Sequence, residues 1–316
     1  MAVVVPSWNS ERLLSRCLES VHAQNGSVEL LIVDNGSEDG SVAYLEREEI
    51  PHVRLPRNTG FAAAVNLGVS CTRAPAILVL NADTVLEPGC VARLLEALDA
   101  DPRLGGVQPR ILQLDGEATR DASDARIYSA GQALTPDGRA IEEGAGEPQT
   151  PPHLARREIF GVCGAACLLR RELFADLGGY DESYFAFYED VDLNVRARVA
   201  GWRFEYVPEA VVWHVGNASW SAGFDSPTAE NARLVARNRL ATQLKFMPLS
   251  AAPRIAAVEL GALLRAARQR RLAATLGGKL AALRWLPRLL RERARLRREG
   301  DPGRARRWLG VRAPRS

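Results

Sequence analysis

The sequence predicts an α/β fold with a mostly parallel central sheet, and two observations support this prediction. Short apolar, β-branched runs alternate with segments in which apolar residues have helical spacing. The runs are almost continuously apolar, which is typical of parallel strands buried on both faces. The predicted strands are Ala2–Pro6, Leu30–Val33, Val53–Leu55 and Ala76–Leu80. The predicted helices between them are Glu11–Ala23, Ser41–Glu49 and Phe61–Ser70.

The second half of the chain has a less regular pattern. The segment from about Asp115 to Arg157 is rich in Gly, Pro, Asp and Glu, which predicts a long, mobile excursion with a hairpin around Thr135–Gly138. A strand of small apolar residues is predicted at Ile159–Leu169. A helix from Asp190 to Gly201 and a strand pair over Phe204–His214 complete this half.

The net charge of +3 conceals a strong asymmetry along the 316 residues. Residues 251–316 contain 18 Lys+Arg and 4 Asp+Glu and so carry +14, which leaves −11 on the first 250 residues. Over Ala256–Arg298, Leu, Ala and Trp285 have helical spacing among arginines, with interruptions at Gly277-Gly278 and Pro287. This pattern predicts amphipathic helices on an anionic membrane surface. The alternative is a helical hairpin packed on the body with solvated arginines.

Cysteine usage and hydropathy indicate the expected location. The five cysteines are scattered and odd in number, and no secretory signal precedes Ala2–Val5, so we expect a cytoplasmic protein without disulfides. Because no uncharged apolar run approaches 18 residues, we expect no membrane-spanning helix. The basic helices then favour a peripheral protein on the inner face of the cell membrane. Nucleic acid is not an expected partner, since no nucleic-acid-binding motif accompanies the charge.

Polar residues follow three of the predicted strands, at the edge where the functional groups of parallel sheets gather. Trp8, within Pro6-Ser7-Trp8-Asn9, can stack on a nucleobase, and Asp34 can accept from a base N–H or a ribose hydroxyl. The alternative for Asp34 is a strand-to-helix turn. Asn81-Ala82-Asp83 brings a carboxylate to a position suited to Mg²⁺ or Mn²⁺ bridging two phosphates. Only two lysines occur, so a metal is the expected means of neutralising a diphosphate.

The segment Arg57-Asn58-Thr59-Gly60-Phe61 leads into a helix and has features of a phosphate-binding loop. Gly60 permits close approach of the backbone, and unpaired amides at the start of a helix attract phosphate. Asn66, in a helix otherwise lined by Ala and Val, requires a polar partner. That partner is either the ligand or neighbouring backbone.

Acidic residues and a histidine from distant segments supply candidates for a base and a metal site. Within Tyr188-Glu189-Asp190, the acidic pair offers a general base. Asp83 and His214 together can hold a divalent cation. The alternative for His214 is a core histidine, but its position ahead of Gly216 and Ser219 favours the metal.

The order of these motifs resembles glycosyltransferase family 2, and within it the bacterial rhamnosyltransferase-like members that extend cell-surface glycans. The resemblance covers roughly residues 2–245 and rests on PSWN, VDNGSEDGS, RNTGFAAAVN, LNAD, FGVCGAACLLRR, GYDESYFAFYEDVDL and WHVGNAS. It implies a GT-A fold over residues 1–230, with a nucleotide-binding half (1–114) and an acceptor-binding half (115–230). Residues 231–316 then form a basic amphipathic helical extension.

The resemblance also implies an activity. Family members transfer a sugar, with inversion, from a nucleotide-diphosphate donor to an acceptor. The branch favours dTDP-rhamnose as donor and a saccharide, lipid-linked in view of the basic helices, as acceptor. The alternative donors are UDP-sugars carrying galactofuranose, glucose or GlcNAc.

Resemblance and residue patterns together define the predicted site. The donor residues are Pro6, Trp8, Asn9, Asp34, Asn58, Gly60, Asn66, Asn81 and Asp83. The acceptor residues are Gly164, Ala165 and Glu189, and Asp190 is the catalytic base. Asp83 and His214 are the ligands of Mn²⁺ or Mg²⁺. Asn81 departs from the family's D-x-D motif, but the rhamnosyltransferase-like branch often has Asn there, so the metal is retained.

Two kinds of nucleotide enzyme and a non-catalytic protein compete with this interpretation. A sugar-nucleotide pyrophosphorylase usually begins with a Gly-rich phosphate loop, whereas this chain has Ser7-Trp8-Asn9-Ser10. A dehydrogenase is disfavoured because no G-x-G-x-x-G follows a strand. A non-catalytic nucleotide-sugar-binding scaffold at the membrane would have no need of a base at Asp190.

Overall fold

The computed structural model describes residues 1–24, 26, 28–114, 125–215 and 228–310. Its first four strands are parallel and lie side by side in the order β4-β1-β2-β3. These strands are β1 (Ala2–Ser7), β2 (Glu29–Asp34), β3 (His52–Arg54) and β4 (Ala76–Leu80). The connecting helices are α1 (Glu11–His22), α2 (Ser41–Arg47) and α3 (Phe61–Ser70). Each predicted element of this half is confirmed, with ends that differ by at most two residues.

The first strand explains why these runs are almost continuously apolar. Val3 and Val5 of β1 pack with Leu14 of α1 on one face of the sheet. Val4 packs with Val65 of α3 on the other face. Because successive strand residues point to opposite faces, a strand covered by helices on both sides is apolar at every position.

The second half of the chain extends the sheet with strands of both directions. Its elements are β5 (Thr84–Leu86), α4 (Cys90–Ala100), β6 (Leu104–Gln113), β7 (Ile127–Ser129), β8 (Gln132–Leu134), β9 (Ala140–Glu142), β10 (Arg157–Ile159), β11 (Ala166–Arg170), α5 (Arg171–Leu177), α6 (Glu189–Ala200) and β12 (Arg203–His214). Short 3₁₀ turns occur at Pro151–Leu154, Glu182–Tyr184 and Leu249–Ala251. The full order is β10-β12-β6-β11-β4-β1-β2-β3, so the predicted α/β fold with a largely parallel central sheet is confirmed.

The antiparallel strand β11 brings the two halves of the chain together. It lies between β4 and β6, with Ala166 opposite Leu80. Because β4 and β11 run in opposite directions, the loop before β11 meets the carboxyl end of β4. The backbone N–H of Asn81 accordingly donates to the carbonyl of Ala165 at 2.9 Å.

The prediction of one strand over Ile159–Leu169 is wrong. Residues 160–165 form a loop between β10, which lies on β12 at the sheet edge, and β11 in its interior. Side chains rather than a neighbouring strand accept from the loop's amides: Asn194 from Val162 N, and Gln108 from Cys163 N. A buried loop can be apolar when side chains satisfy its backbone hydrogen bonds in place of a neighbouring strand. The apolar composition of residues 160–165 therefore did not distinguish this loop from a strand.

The predicted strand pair over Phe204–His214 is also wrong, because these residues belong to the single strand β12. Its register on β6 shifts between Val207 and Val211. Pro208 lies within this shift, where the ladder does not require its missing N–H. The proline therefore marks an irregularity within one strand rather than a turn between two.

The predicted hairpin of the Gly- and Pro-rich excursion is present. Strands β8 and β9 pair antiparallel, and Thr135 N donates to Arg139 O across the turn at 2.9 Å. The expectation of a loose excursion does not fit this part, since Gln132, Ala133 and Leu134 are all buried. Residues 115–124, the first part of the excursion, lie outside the described residues.

Helices follow from residue 229 onward. They are α7 (Ala229–Phe246), α8 (Ala252–Arg268), α9 (Leu272–Arg284), α10 (Leu286–Glu299) and α11 (Pro302–Arg306). Pro287 stands in the first turn of α10, as a predicted interruption. The interruption predicted at Gly277-Gly278 is wrong: α9 continues through it, and a Cβ on Gly278 would collide with the α7 backbone at Arg233. Within the described ranges, none of the helices is long and apolar enough to span a membrane.

Candidate active site

A cleft lies at the carboxyl ends of β1 and β4, beside the loop 160–165 and the start of α6. The predicted site residues that line it are Pro6, Trp8, Asn58, Asn81, Asp83, Gly164, Ala165, Glu189, Asp190 and His214. Lining residues that were not among the predicted site residues include Ser7, Asn35, Tyr128, Glu142, Cys163 and Phe187. The cleft is therefore built from both halves of the chain.

Asp34 lies at the end of β2, behind the lining of this cleft, and is fully buried. Its Oδ2 accepts from Ser37 N at 3.2 Å, as in the turn that was its alternative interpretation. Its Oδ1 is buried and has no hydrogen-bond partner among the described residues. An unpaired buried carboxylate oxygen is unfavourable, so this atom lacks a donor that would stabilise it.

Three other predicted donor residues support the loops around the cleft rather than lining it. Asn9 joins two loops, because its Oδ1 accepts from Glu38 N at 2.9 Å. Asn66 bonds backbone, as its alternative interpretation had it: its Nδ2 donates to Tyr180 O and its Oδ1 accepts from Tyr180 N, both at 2.9 Å. Gly60 has a φ of 91°, and a Cβ there would collide with Phe185 O.

Asp83 and His214 meet because β5 pairs with the end of β12. Asp83 Oδ1 and His214 Nε2 are 3.1 Å apart, and both side chains are buried. Two ligands at about 2.1 Å from an octahedral cation lie about 3 Å apart at adjacent positions, so the pair fits Mg²⁺, and an oxygen–nitrogen donor set also suits Mn²⁺. The remaining ring nitrogen of His214, Nδ1, is buried without a partner among the described residues.

A second cluster brings potential ligand atoms of Glu142, Cys163 and Asp190 within 4.8 Å of one another. Burial raises the pKa of the Cys163 thiol well above its usual value, so the thiol remains protonated. A protonated thiol is a poor ligand for a hard cation. This cluster is therefore less suited to a hard cation than the pair Asp83 and His214.

The turn that precedes Asp190 has a strained backbone. Phe185, Phe187 and Tyr188 have φ values of 67°, 67° and 68°, which are unfavourable for residues with a Cβ. Asn238 of α7 stabilises this turn, because its Nδ2 lies 2.8–2.9 Å from the carbonyls of Tyr184, Ala186 and Phe187. The available sequence signal was an Asn within a helical segment. Its partners lie more than 50 residues away along the chain, so the sequence did not identify them.

Asp190 occupies the first turn of α6. Its Oδ2 accepts from Gly164 N and Gln132 Nε2, both at 3.0 Å, and its Oδ1 accepts from Val191 N at 2.7 Å. Burial raises the pKa of Asp190 above its ordinary value, although these hydrogen bonds oppose the rise. A carboxylate with a raised pKa is a stronger base than a free one.

Glu189 is buried beside Asp190 and lines the same cleft. Burial, and next the charge of Asp190, raise the pKa of Glu189 well above its usual value. Its Oε2 has no hydrogen-bond partner among the described residues. This acid is therefore suited to a hydrogen bond with a bound molecule.

Sequence reasoning missed a polar network from the β8–β9 hairpin. Gln132 Nε2 donates to both Asp190 Oδ2 (3.0 Å) and Glu142 Oε1 (3.1 Å). Gln132 Oε1 accepts from Asn194 Nδ2 at 2.8 Å, which fixes the orientation of the amide. Glu142 Oε2 accepts from Ser129 Oγ at 2.6 Å. Burial, and next the charge of Asp190, raise the pKa of Glu142 to about 7.

The fold, and the cleft at the carboxyl ends of its strands, define an α/β protein of the GT-A type. Residues 2–178 match the family model described as Glycosyl transferase family 2. The chain belongs to this family.

A curated relative agrees with this assignment, and two solved structures share the fold. The N-acetylglucosaminyl-diphospho-decaprenol L-rhamnosyltransferase of Mycobacterium tuberculosis is 32% identical over 239 residues, which cover 68% of this chain and 75% of the relative. The structure of GalNAc-T7 with UDP, GalNAc and Mn²⁺ superposes with a TM-score of 0.59 at 19% identity, over 77% of this chain and 50% of that one. The structure of the mannosyltransferase PcManGT from Pyrobaculum calidifontis, with GDP-Man and Mn²⁺, superposes with a TM-score of 0.52 at 20% identity. The match covers 93% of this chain and 84% of that one.

Proposed function

We propose that the protein is an inverting, metal-dependent glycosyltransferase that moves a sugar from a nucleotide-diphosphate donor to a lipid-linked saccharide in cell-surface glycan synthesis. The observation that carries the proposal is the meeting of a half-buried base, Asp190, with the Asp83–His214 pair in one cleft. Rhamnose on dTDP is the first candidate donor, in line with the name of the mycobacterial relative. That name also supports a lipid diphosphate acceptor.

The proposed reaction is a single in-line displacement at the anomeric carbon. Asp190 accepts the proton of the acceptor hydroxyl while that oxygen forms its bond to the anomeric carbon. The bond from this carbon to the diphosphate oxygen breaks, and the nucleoside diphosphate leaves with the electron pair. Asp83 and His214 would hold Mn²⁺ or Mg²⁺, which when bound stabilises the charge on the diphosphate.

The donor nucleoside is proposed to bind where β1 and β2 end. Trp8 lines the cleft and offers a ring for stacking. The unpaired Oδ1 of Asp34 suits a base N–H or a ribose hydroxyl. Asn58 and Asn81 line the path from there to Asp83.

Calorimetric titration with dTDP and with UDP, each with Mn²⁺ and with EDTA, tests the donor site. We expect metal-dependent binding of one nucleotide, lost in Asp83→Ala and retained in Asp99→Ala, an exposed acid on α4. If the protein prefers UDP, the proposed donor becomes a UDP-sugar rather than dTDP-rhamnose. Absence of binding to either nucleotide would refute the proposal. Binding without sugar transfer or donor hydrolysis would favour the non-catalytic scaffold.

The C-terminal helices are proposed to bind an anionic membrane surface. Eight of the nine large apolar side chains that the structure describes as exposed lie on these helices or the turn before α8: Leu249, Leu260, Leu264, Leu272, Leu276, Leu280, Leu283 and Leu290. They stand among the arginines of a segment with a charge of +14. Apolar side chains between cations match an interface of acyl chains and anionic headgroups.

Cosedimentation with lipid vesicles tests this surface. The full chain is expected to bind vesicles that contain phosphatidylglycerol and not pure phosphatidylcholine. The double variant Leu280→Gln, Leu283→Gln should bind about 10-fold more weakly or worse, because two apolar side chains no longer enter the lipid. Leu154→Gln, which changes an equally exposed leucine of the body, should bind normally. Equal binding by both variants, or none by the unmodified chain, would favour helices that only pack on the body.

A further inference from the structure

We propose that Glu142 forms a second acceptor subsite beside Asp190, and that the two carboxylates together select an acceptor sugar with two adjacent free hydroxyl groups. The inference rests on the proposed function, since it assigns the acceptor hydroxyl to Asp190. It adds a specificity-determining residue from the β8–β9 hairpin, which no motif indicated.

The first argument is the geometry of the two acids. Glu142 and Asp190 both line the cleft, and an oxygen of each lies within 4.8 Å of the other. The two nitrogen-bound hydrogens of Gln132 serve both carboxylates, at 3.1 and 3.0 Å. One amide therefore sets the distance between the acids, and Asn194 sets the orientation of that amide.

The second argument is the hydrogen-bonding capacity that remains. Glu142 accepts one bond on each oxygen, from Gln132 and from Ser129. A carboxylate has about four acceptor positions, so Glu142 can accept further donors. Nearby Glu189 is more than nine-tenths buried, lines the same cleft, and has an Oε2 without a partner among the described residues. A polar ligand therefore completes this part of the cleft.

The third argument is the energetic disadvantage of the arrangement without a ligand. Two carboxyl groups this close repel each other when both are charged. Burial, and next this repulsion from Asp190, raise the pKa of Glu142 to about 7. A hydroxyl group both donates and accepts, so it suits Glu142 in either protonation state.

A vicinal diol matches these features. When one hydroxyl is at Asp190, the hydroxyl on the adjacent ring carbon lies near enough to reach the neighbouring carboxylate of Glu142. A sugar that lacks this second hydroxyl leaves Glu142 without its ligand partner. Such a loss corresponds to about a 10- to 100-fold decrease in kcat/KM.

A cycle that combines a protein change with a substrate change tests the inference. The probes are a synthetic N-acetylglucosaminyl diphosphate on a short prenyl chain and its monodeoxy analogues, each lacking one ring hydroxyl. With the unmodified protein, removal of the hydroxyl next to the acceptor position should lower kcat/KM about 10- to 100-fold. Glu142→Met should show a similar decrease on the parent probe and no further decrease on the deoxy probe. If Glu142 had a purely structural role, Glu142→Met would lower kcat/KM by the same factor on both probes.

Two further variants complete the design. Glu142→Gln retains a hydrogen-bonding group, should fold even if the Met variant does not, and should keep most of the deoxy effect. Glu143→Met is the matched control, because Glu143 pairs with Arg157 and does not line the cleft. Additive effects of Glu142→Met and the deoxy change, with the parent probe glycosylated, would overturn this inference and leave the proposed function intact. Failure of the unmodified protein to glycosylate any probe would overturn both.

Discussion

Replacement of Asp190 by Asn is expected to lower kcat by about 10²- to 10⁴-fold and to leave nucleotide affinity unchanged. The amide oxygen can still accept from Gly164 and Gln132, while the amide NH2 replaces the oxygen that accepts from Val191, so two of the three hydrogen bonds remain. The amide cannot accept the proton of the acceptor hydroxyl. Transfer assays at saturating donor, with the nucleotide titration as a check on binding, measure the effect.

The matched control is Asp99→Asn, an exposed acid on α4 that does not line the cleft, and it should retain full activity. A near-normal kcat in Asp190→Asn would refute the assignment of Asp190 as the general base. A variant that loses nucleotide binding together with kcat would instead assign Asp190 to the donor site. The separation of kcat from affinity is thus the decisive comparison.

The pH dependence follows from the same residue. The pKa of Asp190 is raised by burial, and the base acts in its deprotonated form. Activity should therefore rise with pH and reach its plateau above the range in which a free aspartate titrates, and Asp190→Asn should lack this acidic limb.

The effect on stability has the opposite sign, because a raised folded-state pKa means that folding favours the protonated form. For Glu142, this stabilisation is complete below about pH 4.5 and is lost as the pH rises through about 7.

The sequence predicted the parallel half of the fold because its information there is local. Val3, Val4 and Val5 form one apolar run, and the structure buries them on both faces of the sheet. Strand order and direction depend on contacts between distant segments. The antiparallel placement of β11 therefore became visible only in the structure.

Sequence reasoning proposed site residues where the residue type and its position, at the end of a strand or the start of a helix, together indicate a chemical role. Asp83, Asp190 and His214 are of this kind. Gln132 and Glu142 lie in a stretch whose composition resembles a loop, and Gln132 meets Asp190 across 58 positions of the chain. Neither residue type is distinctive by itself, so only the folded hairpin reveals their role.

Asn66 illustrates a different limit of sequence reasoning. A polar side chain among Ala and Val implies a partner but does not identify it. Here the partner is the backbone of Tyr180, which joins α3 to the segment leading to the strained turn before Asp190. The residue supports the site through structure, and the same pattern recurs at Asn238.

Lys245→Met is expected to lower the free energy of unfolding by about 3 kcal/mol, the largest stability effect that we predict. Lys245 Nζ is buried and lies 2.6 Å from Asp192 Oδ1 and 2.8 Å from Glu292 Oε2. Burial alone would raise the pKa of Asp192, but the charges of Lys245 and Arg196 outweigh it and lower that pKa. Methionine fills a similar volume without the charge, and it leaves three acids, Asp181 at 3.7 Å being the third, with less compensation.

The matched control is Arg295→Met, because Arg295 forms an i,i+4 pair with Glu299 in which both side chains are more than half exposed. Such a pair contributes about 0.3–0.5 kcal/mol, so urea unfolding should separate the two variants clearly. Equal effects would mean that water enters the Lys245 site and solvates its acids. The distinction matters for function, because Asp192 stands two residues after Asp190 on α6 and Glu292 stands on α10. Lys245 thus connects the basic C-terminal helices to the helix of the proposed base, and its loss should lower kcat as well as stability.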